Sequence, residues 1–282
     1  MTLVYPARAR TFDELGNYFK ECERNFTLRK FIPNVPIVAR LDIRAAHSFC
    51  KGLEKPYSQV FMDCMKYTCL ELGKEFNPIF LYAQSDELTI CFHNSPLMFD
   101  GTVQKYISNL SAYASVMFNK RVRELIPSHV NKSPTFDCRV FQVSSIQEVF
   151  DNVVWRQIDA MKNSVSLLAC NHFSPKELSG KSTKARKEML ANIGVDWNAI
   201  SDSNQQFARG AFFKRKAIDK KVDFPITDKI LAKNPNISKL GDDYYVRRNE
   251  WNEVIVPRLS KITEDDEALD IIEQVFSNHI MY

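Results

Sequence analysis

The sequence predicts an α+β fold. Its first half reads as an antiparallel split βαβ sheet in ferredoxin-like order with helices on one face, and its second half as a mainly helical C-terminal region. Two observations predict this. Between residues 35 and 143, apolar β-branched runs and segments of helical periodicity follow one another as strand, helix, strand, strand, helix, strand. Beyond residue 150 the apolar residues hold a helical spacing over a long stretch. The corresponding division is a domain over 1–150 that includes an N-terminal helix, and a helical, basic region over 151–282 packed on it.

The elements follow from local chemistry. Residues 11–30 read as an amphipathic helix opened by a capping box, Thr11 with Glu14. ValProIleValAlaArgLeuAspIle (35–43) reads as a buried strand with Pro33 and Pro36 near its start. Over 57–77, Phe61, Met65, Thr68, Leu72 and Phe76 form one helical face. Residues 79–83 and 88–92 are two apolar strands with Gln84, Ser85, Asp86 and Glu87 at their junction, which predicts a hairpin. Val103, Ile107, Leu110, Ala114 and Met117 mark a second helix, and 136–143 the next strand. Residues 146–173 are one long helix or two. Ser174-Pro175 and Ser182-Thr183 start further helices, the second ending near Gly194. A strand is expected over 211–216, a hairpin over 243–258 and an acidic helix over 264–282.

Composition narrows the function classes. The chain has 282 residues, 45% of them apolar and 26% charged, an ordinary globular balance. No apolar run reaches the roughly 18–20 residues of a membrane span, and the N-terminus has no secretory pattern. Seven Cys with no CxxC pair point to reduced thiols and a cytoplasmic protein rather than a disulfide framework or zinc site. The net charge is only +4, but Lys176–Lys187 holds five basic residues and Arg209–Lys221 six. Such a zone suits a phosphate backbone, or is simply a solvated face.

Asp42 ends the first predicted strand, and Asp86 with Glu87 lies at the hairpin between the next two. A split βαβ sheet makes these strands neighbours, and the same architecture serves as the palm of many polymerases and cyclases. Paired carboxylates repel unless a cation joins them. Mg²⁺ takes carboxylates, substrate phosphates and water, and two such ions about 4 Å apart stabilise an in-line phosphoryl displacement. The plainer alternative is that Asp42 ends a strand and Asp86 fills a turn. Arg44, Lys55, Lys105, Arg139, Arg156 and Lys162 are candidate phosphate-binding cations. Gly180-Lys181-Ser182 is not a P-loop, because Pro175 stands where its first Gly is needed.

Five blocks in order carry a more specific signal: ArgLeuAspIleArgAlaAlaHisSerPhe (40–49), GlyLeuGluLysProTyr (52–57), TyrAlaGlnSerAspGlu (82–87), PheAspCysArgVal (136–140) and TrpArgGlnIleAspAla (155–160). Together they resemble the tRNA-His guanylyltransferase family, and most its branch of template-dependent 3′–5′ polymerases that repair tRNA. The resemblance implies a polymerase-like palm and a nucleotidyltransferase that extends RNA at its 5′ end, the nucleotide 3′-OH attacking an activated 5′ phosphate. It implies two Mg²⁺ ions as cofactors, GTP or another NTP and ATP as substrates, tRNA as partner, and a homotetramer. It makes Asp42, Asp86 and the Ile43 carbonyl metal ligands, with Glu87 in support. Arg44, Ala45, Ala46, His47, Ser85, Lys55 and Lys105 join them around the nucleotide. Arg139, Arg156, Lys162 and Asn163 handle phosphates or the RNA end.

Two departures stand out. Ile43 replaces the family's usual glycine, which allows a close approach and unusual φ, so altered nucleotide packing is expected. Met161-Lys162-Asn163-Ser164 replaces a His-x-Asn-Asn element of the tRNA-His-specific members, which favours the repair branch over single-G addition to tRNA-His. A catalytically inactive RNA-binding protein and a nucleotide cyclase are the readings from other classes.

Overall fold

The computed structural model describes residues 12–93 and 96–254. Helix α1 (Phe12–Thr27) leads into strand β1 (Ile37–Ile43), the short α2 (Ala46–Cys50) and α3 (Gln59–Phe76). Thr11, the expected cap of α1, lies outside the described residues. The Ser58 hydroxyl starts α3 by accepting from the Phe61 N–H. Strands β2 (Phe80–Gln84) and β3 (Glu87–Phe92) follow, then α4 (Val103–Leu125) and β4 (Phe136–Gln142). Pairing of Gln84 with Glu87 makes Ser85-Asp86 a two-residue hairpin turn. The split βαβ order is present: β1 lies between β4 and β3, antiparallel to both.

The alternation of β1 sorts its side chains. Ile37, Ala39, Leu41 and Ile43 face α3 and α4, where they meet Leu72, Met65, Leu110 and Phe118 in the larger core. Val38 faces the other way, against α5 (Ile146–His172). That helix is one unbroken element, capped by Ser145, whose hydroxyl accepts from the Glu148 N–H. Helices therefore cover both sheet faces, not the single face read from the first half of the sequence alone. Met161, Val165 and Leu168 of α5 pack against α7 (Thr183–Asn192) and α8 (Trp197–Ser203) in a third cluster. The one-turn α6 (Pro175–Leu178) precedes them, and α9 (Gln205–Arg209) follows.

The C-terminal region is less helical than expected. Strand β5 (Ala211–Lys221) pairs with β2, and β7 (Asp243–Val254) with β5. After α10 (Asp228–Lys233), β6 (Ile237–Leu240) pairs with the start of β7. Among the described residues the sheet thus has seven strands in the order β4-β1-β3-β2-β5-β7-β6. The hairpin expected over 243–258 is instead β6–β7, turning at Gly241-Asp242; 243–254 is one continuous strand. The expected acidic helix over 264–282 lies outside the described residues.

Candidate active site

The site forms where β1 ends and the β2–β3 hairpin turns. The Ile43 N–H donates to the Asp86 carbonyl at 3.0 Å, which ties the last residue of β1 to the turn. In register, Asp42 stands opposite Glu87 of β3 on one side and Asp137 of β4 on the other. Cross-strand partners share a face, so three carboxylates meet on the α5 side of the sheet with Asp86 beside them. The Asp42 carboxyl is held above its ordinary range by burial first, then by Asp137, Asp86 and Glu87, with Arg139 opposing. Asp137 was not singled out in the sequence. The period-2 alternation of PheAspCysArgVal was the available signal, since it puts Asp137 and Arg139 on one face.

Glu87 plays a different part from its neighbours. It is 8% exposed, and Arg156 of α5 donates to it through Nε at 2.6 Å and Nη2 at 2.8 Å. Gln84 Nε2 donates to Glu87 Oε1 at 3.1 Å, and Arg156 Nη2 also reaches Asp159 at 3.0 Å. A desolvated carboxylate held bidentately is anchored to its guanidinium. Arg156, expected at the RNA end, is therefore committed at 7% exposure to bracing the hairpin against α5.

Ile43 carries no strain. It is the last residue of β1, 3% exposed, with its side chain in the core on the far side of the sheet from Asp42. The left-handed residues at this corner are Ala45, at φ 58°, and Ser85, at φ 48°. The turn through Arg44, Ala45, Ala46 and His47 is exposed except for the half-buried Ala46. It is fixed at both ends: the Arg44 N–H donates to the Thr135 carbonyl, and Lys132 Nζ donates to the carbonyls of Phe49 and Lys51 at the end of α2. Lys132 is a second residue the sequence reading missed.

The remaining candidates separate. Arg139 is exposed beside Asp137, 4.0 Å away. Asn163 Nδ2 reaches Asp159 at 3.5 Å, one turn along α5 from Arg156. Lys162 lines a cavity of about 250 Å³ with Lys187 and Trp197, on the other side of α5. Lys55 is exposed in the loop before α3. Lys105 is not in this cluster. It opens α4 next to Tyr106, whose ring meets Phe31 and Phe92 at the end of the sheet where β1 begins. Five strand residues separate that end from Asp42, about 17 Å.

The donor chemistry fits a hard divalent cation. Among the described residues, no group of three or more His, Cys, Asp or Glu side chains has metal-holding geometry. Two carboxylates plus a backbone carbonyl suit Mg²⁺ when phosphates and water complete the shell. Burial first, and then the nearby carboxylates of Asp137, Asp86 and Glu87, raise the Asp42 carboxyl, and a cation bound here would relieve both. Among the described residues, no helix is long and apolar enough to cross a membrane.

Comparison with known proteins agrees with this architecture. Residues 16–144 match the model of a family described as tRNAHis guanylyltransferase. The tRNA(His) guanylyltransferase of Debaryomyces hansenii is 25% identical over 272 residues, covering 93% of this chain and 95% of that protein. A bacterial tRNA(His) guanylyltransferase (Thg1)-like protein in complex with ATP superposes with a TM-score of 0.71 at 23% identity, over 93% of this chain and 98% of that one. A bacterial protein of the same description in complex with GTP gives 0.65 at 22% identity, over 94% and 100%. The structural likeness establishes the polymerase-like palm fold.

Proposed function

We propose that this chain is a member of the tRNAHis guanylyltransferase family, whose model matches residues 16–144, and that it adds nucleotides to the 5′ end of tRNA, with Mg²⁺ at Asp42 and Asp86. It is a nucleotidyltransferase by kinship. The observation that carries the site assignment is the meeting of Asp42, Asp86 and Asp137 at one sheet end, with the Asp42 carboxyl raised by burial and by its neighbours.

In this reading Asp42, Asp86 and the Ile43 carbonyl would hold the metal, which would supply charge stabilisation to the phosphates. The chain's own residues do the rest. The turn from Arg44 to His47 and Ser85 surrounds the nucleotide triphosphate. Arg139, exposed on the same face as Asp42, meets the RNA phosphates. Glu87 and Arg156 keep the hairpin, and so Asp86, at a fixed distance from β1. The nucleotide 3′-OH attacks the activated 5′ phosphate, and the activating group leaves. The C-terminal region, with the basic stretches at 176–187 and 209–221, is the RNA-contacting half. A homotetramer in the cytoplasm belongs to this reading as well.

Templated repair is favoured over single-G addition by Met161 and Ser164. Where the tRNA-His-specific members carry His and Asn, these two are buried. Met161 packs toward α7 and α8, and Ser164 accepts from Trp197 Nε1 at 3.1 Å. These positions serve packing here, not recognition. The relatives' names support the second reading, addition of one G to tRNA-His.

The test is a nucleotide-addition assay on intact tRNA-His and on 5′-truncated tRNAs of other species. Addition to the truncated set that follows the template supports repair; addition of a single G confined to tRNA-His supports the second reading. Asp42→Ala and Asp86→Ala are expected to slow addition by about 10²–10³ or more, and chelation of divalent cations to abolish it. Full activity in both variants would remove the metal assignment.

A further inference from the structure

Trp155 is 54% exposed on α5, an unusual place for so large an aromatic surface. Its ring is not loose. The Arg156 guanidinium lies 4.4 Å from its centroid, and Arg156 is itself locked to Glu87 and Asp159. Arg40 of β1 approaches the same ring at 5.8 Å. Arg40 and Asp42 are two residues apart on one strand face, about 7 Å, close to the spacing of neighbouring nucleotides. In register with Arg40 stands Arg139, and two residues further along that face Phe141 is 38% exposed. An aromatic plane held rigid, flanked by cations and one step from the carboxylates, has the composition of a single-strand nucleic-acid platform.

We propose that Trp155 is a stacking platform for an unpaired nucleobase at the 5′ end of the RNA, with Arg40 and Arg139 on its phosphates. The inference rests on the 5′-end nucleotidyltransferase reading and deepens it. It makes Trp155 a positioning residue: the stacked base fixes how far the terminal phosphate lies from Asp42. The bound Arg156 couples this plane to the Asp86–Glu87 hairpin, so ring and carboxylates share one rigid frame. Cation flanking favours RNA over a protein partner, because Arg40 and Arg139, each only 4.0 Å from its carboxylate partner, Glu87 and Asp137, keep guanidinium donors for phosphates.

The experiment measures RNA binding in the Asp42→Ala background, where no turnover occurs, alone and combined with Trp155→Ala or Trp155→Phe. The probes are an RNA hairpin with a blunt 5′ end and the same hairpin with three unpaired 5′ nucleotides. Trp155→Ala is expected to weaken the overhang probe by about ten- to a hundredfold, the weight of one base on an aromatic ring. It should leave the blunt probe within about twofold, and Trp155→Phe should recover most of the loss. GTP affinity, melting temperature and molecular mass in solution are measured in parallel and should not move. Equal binding of the overhang by Trp155→Ala and its parent overturns this inference alone. Failure of the Asp42→Ala protein to bind either RNA overturns the underlying reading too. A drop in molecular mass with RNA affinity unchanged would make the face a contact between copies of this chain and overturn the platform.

Discussion

At the scale of single residues, the Glu87–Arg156 pair decides whether the hairpin stays in place. Its side chains are 11% and 8% exposed, so either ion left alone is stranded in a poor solvent. Glu87→Gln or Arg156→Ala is expected to destabilise the fold by about 3–5 kcal/mol, read by chemical denaturation. The double replacement Glu87→Leu with Arg156→Met should cost less than half the sum of the single variants, because no buried charge remains. Simple additivity would show that the pair does not hold the hairpin. Asp42 behaves oppositely. Its carboxyl is raised in the fold, so by linkage the neutral form is favoured and stability is lost as pH rises through its titration. Without divalent cation, Asp42→Asn should melt above the parent at pH 7, with the gap closing near pH 3. Mg²⁺ should raise the melting temperature of the parent but not of the variant. A parent insensitive to Mg²⁺ at every pH would count against Asp42 as a ligand.

At the scale of elements, the join between α9 and β5 carries a demand that only glycine meets. Gly210 has φ +77°, and a Cβ there would lie 2.4 Å from the Tyr82 ring and 2.6 Å from the Ala83 carbonyl. Tyr82 cannot yield, since it is fully buried, stacked on Phe212 at 4.3 Å, and its hydroxyl donates to the Arg209 carbonyl at 2.8 Å. Gly210→Ala is expected to lower stability by at least about 2 kcal/mol, whereas Gly180→Ala, which meets no atom within 4 Å, should cost only its backbone strain. Equal melting temperatures for the two would contradict this. The elements also explain what was legible in the sequence. β1 to β3 are buried almost throughout and read as apolar runs, β4 alternates between a covered and an exposed face, and α3 and α4 show the periodicity of one covered face. Most of the outer half of β5 and the middle of β7 are exposed, and Lys216, Asp219, Lys220 and Arg247 erase the alternation that betrays a strand. Asp42 and Asp86 were legible because they end apolar runs. The sequence marks Arg156 as a phosphate-binding cation, because nothing near it in sequence reveals that Glu87, 69 positions earlier, lies beneath it.

At the scale of the whole molecule, buried thiols and phenols set its alkaline limit. Burial pushes Cys64 and Cys138 from 9.0 up to about 12, and Tyr57 from 10.0 to about 12. Each is an acid whose neutral form the fold prefers, so the folded state holds more protons than the unfolded one between those values. These groups should add no slope below about pH 9, and stability should fall steadily from there toward pH 12. Cys64→Ala with Cys138→Ala should move the onset of that fall upward in an alkaline denaturation series, after correction for the packing loss measured at pH 7. An unchanged onset would assign the decline to other groups.

The pairing of β2 with β5 joins Leu81 to Phe213 and Ala83 to Ala211, across almost half of the chain. On a ribosome this has a temporal meaning. The elements that surround β2 are complete once α4 and β4 have emerged, yet its outer edge has no partner until residue 211 is made. For that interval Phe80 to Gln84 is an apolar strand with open backbone donors and acceptors, the kind of template on which nascent chains associate. The late arrival of β5 therefore acts as an intramolecular guard. A slow loop closure of this length makes the protein's yield in cells depend on elongation speed and chaperone supply as much as on its final stability.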